Sequence, residues 1–118
     1  MVWIPDSVTK IGYQAFGECE NLELATLPPN IEHLEHSTFA QCKMLTMRHG
    51  LPKNLKTIGS AAFAGCVNLE FESLPDGLKR IEIAAFSRCC KLALTFLPPN
   101  LVIEERAFND CKLSLIHI

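Results

Sequence analysis

The sequence predicts a repeat solenoid of about five units, with short parallel strands on one face and turns and short helical turns elsewhere. Two observations predict it. A Phe is followed three residues later by a Cys at Phe16/Cys19, Phe39/Cys42, Phe63/Cys66, Phe86/Cys89 and Phe108/Cys111, in steps of 23, 24, 23 and 22 residues. An aliphatic residue followed by proline keeps the same rhythm, at Pro5, Pro28, Pro52, Pro75 and Pro98. Self-similarity at a period of this size marks a chain whose units cannot bury an apolar face alone and must stack.

Each unit opens with a turn. The residues after the prolines are Asp6-Ser7, Pro29-Asn30, Lys53-Asn54, Asp76-Gly77 and Pro99-Asn100. Pro followed by Asn suits a type II turn, because Asn tolerates positive φ. The other units are expected to share that bend.

A short extended piece follows, with apolar pairs three apart at Val8/Ile11, Ile31/Leu34, Leu55/Ile58 and Leu78/Ile81. It leads into a small residue, the Phe and the Cys. That spacing fits one tight helical turn with the Phe inward. Such a turn is too short to stand alone and draws its order from neighbouring units.

The unit closes with apolar-x-apolar: Leu22/Leu24, Leu45/Met47, Leu69/Phe71, Leu92/Leu94 and Leu113/Leu115. This alternation is the period of a half-buried strand. Stacked once per unit, these segments are expected to form the parallel sheet. The second unit carries an extra residue in Arg48-His49-Gly50, which should bulge the strand end and expose Arg48 and His49. The fifth is shortened, as a terminal unit can be. No linker or low-complexity segment interrupts the series, so residues 1–118 read as a single domain.

Composition narrows the class of function. The net charge of −2 offers no basic excess for nucleic acid. No apolar run approaches the roughly 20 residues of a membrane-spanning helix, so no membrane insertion is expected. Met1–Asp6 shows no basic segment followed by an apolar one, so no signal peptide is visible and the compartment stays open. Five of the six cysteines occupy one position per unit beside the Phe. That argues for a reduced, buried ladder rather than a disulfide framework. Cys90, outside the ladder, is expected to be exposed.

The pattern Leu-Pro-x-x-Leu-x-x-Ile-Gly-x-x-Ala-Phe-x-x-Cys-x-x-Leu, best kept in Leu51–Leu69, resembles the BspA-type leucine-rich repeat. The resemblance runs over nearly the whole chain. It implies an arc-shaped leucine-rich-repeat solenoid of α/β type with the parallel strands on its concave face, in proteins found mostly on bacterial surfaces or secreted. It implies adhesion or protein binding rather than catalysis.

The candidate chemistry agrees with a non-catalytic reading. His33, His36, His49 and His117 fall at different unit positions, and no Cys-x-x-Cys occurs. Neither a metal site nor a thiol nucleophile is expected, and no cofactor. Glu70 and Glu72 flank Phe71 and read as a solvated face rather than an acid–base pair.

What varies between units is the outer side of the Leu-x-Leu segments. Glu23, Arg48, His49, Glu70, Glu72, Thr95, Phe96 and Ile116 are the candidate residues for binding a protein partner through the concave strand face. Phe96 is either an aromatic anchor or a cover for the end of the solenoid. The alternative to a binding module is a structural segment of a longer array with no binding of its own. Uncapped apolar ends further predict end-to-end self-association.

Overall fold

The computed structural model describes residues 4–24, 26–95 and 97–111. Five two-residue strands, β1 (Lys10–Ile11), β2 (His33–Leu34), β3 (Thr57–Ile58), β4 (Arg80–Ile81) and β5 (Val102–Ile103), form one parallel sheet in the order β1-β2-β3-β4-β5. Each strand comes from one unit and pairs with the strands of the adjacent units. Lys10 lies opposite His33, His33 opposite Thr57, Thr57 opposite Arg80, and Arg80 opposite Val102. The solenoid of stacked parallel strands therefore forms as the repeat implies.

The strands, however, lie on a different segment from the one expected. They fall just before the Phe, on the short extended piece. The described Leu-x-Leu segments, Leu22–Leu24, Leu45–Met47, Leu69–Phe71 and Leu92–Leu94, form no strand. They are joined across units by scattered bonds: Met47 N–H to Leu24 O at 3.0 Å, Glu70 N–H to Thr46 O at 3.0 Å and Thr95 N–H to Glu72 O at 3.3 Å. Residue type explains the exchange. The paired segments hold β-branched Ile11, Thr57, Ile58, Ile81, Val102 and Ile103, which suit a pleated surface. The Leu-x-Leu segments rely on Leu and Met, and Met47 takes a left-handed φ of 48° that breaks the extended backbone. The Leu113/Leu115 pair lies outside the described residues.

Around the Phe there is no helical turn. Three successive tight turns replace it, for example Ala15 N–H to Gly12 O, Gly17 N–H to Gln14 O and Cys19 N–H to Phe16 O. Two positions per unit are left-handed. Two residues before the Phe, Gln14, Ser37, Ala61, Ala84 and Arg106 have φ of 51–60°. Two residues after it, Glu18, Gln41, Gly65, Arg88 and Asp110 have φ of 60–77°. This backbone projects alternate N–H groups along the solenoid axis. Phe16 N–H reaches Thr38 O at 2.8 Å, Phe39 N–H reaches Ala62 O at 2.8 Å, Phe63 N–H reaches Ala85 O at 2.8 Å and Phe86 N–H reaches Ala107 O at 2.7 Å. Each of these is flanked by two like bonds, so every junction between units carries three.

Inside this ladder the five phenyl rings stack. Adjacent centroids are 5.4, 5.5, 5.4 and 5.3 Å apart and the planes differ by 10° at most. Phe39, Phe63 and Phe86 have no exposed surface. They share one continuous core with Leu34, Ile58, Ile81, Leu45, Leu69 and Leu92.

The proline turns hold, with a correction of type. In the first four units the amide three residues on donates to the proline carbonyl, at 3.1, 3.5, 3.1 and 3.1 Å. Asn30 and Asn54 keep negative φ, so these are not type II turns; only Asn100, in the shortened fifth unit, is left-handed, at 63°. The asparagines serve another purpose. Asn30 Nδ2 donates to Asp6 O at 3.0 Å and Asn54 Nδ2 to Pro29 O at 3.1 Å, tying each turn to the preceding one.

Candidate surface for partner binding

The extra residue of the second unit shapes the most varied surface. Gly50, at φ 87°, closes a tight turn by donating its N–H to Met47 O at 2.8 Å. The turn lifts Arg48 and His49 into solvent while Met47 stays in the core. In the next unit Phe71 turns inward and meets the Phe86 ring edge-on at 5.9 Å, which sends Glu70 and Glu72 outward. Between the two units lies an open groove of about 380 Å³, lined by Arg48, His49, Gly50, Glu70, Phe71, Glu72 and Ser73.

The groove thus gathers four of the residues expected to bind a partner: Arg48, His49, Glu70 and Glu72. Thr95 is exposed and attached to Glu72 through its backbone N–H. Glu23 is exposed but belongs to the first unit, away from the groove lining. Phe96 and Ile116 lie outside the described residues. Among the described residues, Arg48, Glu70 and Glu72 make no ion pair, so one guanidinium and two carboxylates face solvent with their hydrogen-bonding capacity uncommitted.

A second exposed surface was not singled out from the sequence. The described candidates do not lie on the strand face as expected, because the strands form on the segment before the Phe; the sheet face instead presents Lys10, His33, Thr57, Arg80 and Val102 in one column. Its side chains are largely bonded to one another. Lys10 pairs with Glu35 at 3.0 Å, Arg80 pairs with Glu104, and His33 Nδ1 meets Thr57 Oγ1 at 2.7 Å. Tyr13 and His36 pack with ring centroids 5.1 Å apart. The fixed spacing of these residues before each Phe was the available signal; the stronger Leu-x-Leu alternation masked it.

The cysteine ladder is reduced and structural in form. Each thiol donates to the Phe carbonyl of the preceding unit: Cys42 to Phe16 at 3.0 Å, Cys66 to Phe39 at 3.1 Å, Cys89 to Phe63 at 3.2 Å and Cys111 to Phe86 at 2.9 Å. Burial pushes the Cys42 thiol up to about 11 and the Cys66 thiol up to about 12. Cys89 is raised through its hydrogen bond with Cys111 and through burial, whereas that same contact lowers Cys111. Cys19 and Cys90 are exposed, Cys90 as its place outside the ladder implies. Among the described residues, no three His, Cys, Asp or Glu side chains cluster in a way that could hold a metal ion.

Two solved structures share this architecture. A leucine-rich cell surface protein from Faecalibacterium prausnitzii superposes with a TM-score of 0.61 at 24% identity, over 94% of this chain and 37% of its own. A leucine-rich repeat protein from Bacteroides ovatus superposes with a TM-score of 0.54, also at 24% identity, over 98% of this chain and 42% of its own. The chain therefore spans about two fifths of the length of either. No curated protein matches it. The model of the BspA type leucine-rich repeat region matches residues 1–114 in six copies. On that match the chain belongs to the BspA-type leucine-rich repeat family, whose modules generally serve protein interaction or structure and are generally not enzymes.

Proposed function

We propose that this chain is a non-catalytic protein-interaction module that binds a protein partner through the outer face of its Leu-x-Leu segments, as part of a bacterial surface adhesin. The observation that carries the reading is the groove between the second and third units. A strictly repeating scaffold there presents side chains that do not repeat, and their charges have no ion-pair partner among the described residues. Buried positions follow the period because packing demands it; exposed positions that break it are free to be chosen for a partner. The surface location draws on the Faecalibacterium neighbour, which is described as a cell surface protein.

The test is affinity capture from bacterial surface extracts with the wild-type chain and an Arg48→Glu/Glu70→Lys/Glu72→Lys variant. A Lys10→Glu/Arg80→Glu variant serves as the comparison. Loss of a partner with the first variant alone supports the groove. Equal recovery with wild type and the first variant removes it.

A second reading, a structural segment within a longer array, is favoured by a different observation. This chain spans about two fifths of the length of either solved neighbour.

A further inference from the structure

The groove between the second and third units has two unlike lips. Arg48 and His49 stand on the second-unit lip, lifted into solvent by the turn that Gly50 closes at φ 87°. Glu70 and Glu72 stand on the third-unit lip. Phe71 between them is buried against the Phe86 ring, so the two carboxylates leave the backbone on the same side. Two residues of extended chain span about 6.6 Å, and this sets the spacing at which the carboxylates are offered.

Elsewhere in the solenoid, opposite charges on neighbouring units pair. Lys10 reaches Glu35, Lys43 reaches Glu20 and Arg80 reaches Glu104, each across one junction. Arg48 has two carboxylates in the neighbouring unit and pairs with neither. The extra residue of the second unit accounts for the exception. It puts Arg48 out of register with the third unit, and about 380 Å³ opens between the lips instead of an ion pair. The groove therefore holds a cation on one side and two anions on the other, with space between them.

An extended peptide laid along such a groove matches it residue for residue. Its side chains alternate between two sides, so residues i and i+2 face one lip and residue i+1 the other. We propose that the groove binds an extended segment of the partner whose charges run basic–acidic–basic, with two Lys or Arg on Glu70 and Glu72 and one Asp or Glu on Arg48. This inference rests on the groove being the partner surface and names the chemistry of the segment it takes. A run of one charge does not fit. An all-basic segment sets a cation against Arg48, and an all-acidic one sets two carboxylates against Glu70 and Glu72. His49, beside Arg48, adds a ring nitrogen that can hydrogen-bond the segment. The volume stands near the lower end of the roughly 300–1,000 Å³ of ligand sites, which suits a short segment.

The experiment follows the backbone amide spectrum of the ¹⁵N-labelled full chain during titration with short peptides carrying Lys-Asp-Lys, Asp-Lys-Asp or Lys-Lys-Lys between Gly/Ser flanks. The Lys-Asp-Lys peptide is expected to bind about tenfold more tightly than Asp-Lys-Asp at low salt, and the preference to shrink at about 0.5 M salt. The shifts should centre on Arg48, Gly50, Glu70 and Glu72. An Arg48→Glu/Glu70→Lys/Glu72→Lys variant should invert the preference, and the same spectra report whether it is folded. A Glu70→Gln/Glu72→Gln variant, which removes charge without reversing it, should lose the preference and keep the fold. Absence of binding, equal affinity for Lys-Asp-Lys and Asp-Lys-Asp, tighter binding of Lys-Lys-Lys than of Lys-Asp-Lys, or shifts centred away from the groove each overturns the proposal. Should the captured partner be lost on charge reversal while the peptides show no preference, the partner surface stands and the basic–acidic–basic segment falls. Capture indifferent to the reversal removes the partner surface itself.

Discussion

The two sides of each unit are built to different standards. On the Phe side, three axial hydrogen bonds per junction, a stacked ring and a thiol bond repeat almost without variation. On the Leu-x-Leu side, the described residues give one backbone bond at each of the first three junctions, the spacing changes by a residue, and the groove opens. Order is carried by the first side and variety by the second. A repeat protein can change its outer residues on the loosely joined side without disturbing the stack, because stability is a sum of unit and junction contributions.

The largest test of this contrast is Phe63→Ala. Phe63 is wholly buried between two rings, and its loss should cost about 3–5 kcal/mol by cavity formation. Glu70→Ala, on the Leu-x-Leu side of the same unit, should stay within about 0.5 kcal/mol. Urea titration of both variants compares the two sides directly, and equal effects would remove the distinction.

Alkaline pH is expected to attack the Phe side selectively. The ordinary thiol value is 9.0, and the folded values of Cys42 and Cys66 lie at about 11 and about 12. The fold favours the neutral thiol, so its contribution is complete below the unfolded value. It declines as pH rises from there through the folded values. Stability measured at about pH 8 and about pH 10.5 should fall, and Cys66→Ala should flatten part of that slope.

Gly59→Ala should cost about 1–3 kcal/mol by overpacking, because a Cβ at this position would stand 2.6 Å from the backbone of Leu34 and Glu35. Gly12, with open space at the equivalent position, should accept Ala with little change. Thermal melts of the two variants separate a junction-specific effect from a general glycine effect.

The smallest expected effect is a gain. Arg88 holds a left-handed φ of 63° where the third unit has Gly65 at 77°. Relief of that strain in Arg88→Gly should stabilise by up to about 1 kcal/mol, less the entropy lost by glycine. A lower denaturation midpoint would show that the arginine side chain contributes more than its backbone costs.

Much of this was legible in the sequence for a physical reason. Burial of Phe39, Phe63 and Phe86 allows no alternative side chain of another shape, so the period is written in residue identity. The same holds for the thiols, whose fixed place beside the ring marked them as structural. The left-handed backbone was not legible. Gln14, Ser37, Ala61, Ala84 and Arg106 share a conformation but no side-chain property, because the bonds made by the neighbouring units impose it. Strand placement was misread because alternation in Leu22–Leu24 and Leu69–Phe71 looks stronger than the two-residue Ile motif that actually pairs. Of the partner-binding candidates, the Arg48 insertion was visible as a break in the rhythm. Its meeting with Glu70 and Glu72 was visible from stacking the units in register.

The thiol ladder has a consequence for kinetics. Cys42, Cys66 and Cys89 are buried at equivalent points of successive units, each held to the unit before it, while Cys19 is open to solvent. A thiol reagent can reach an inner sulfur only when its junction parts. The rates of alkylation at the three inner positions, set against Cys19, therefore report the opening free energy of successive junctions one by one. The chain carries its own labels for measuring how a solenoid comes undone, evenly spaced along its length.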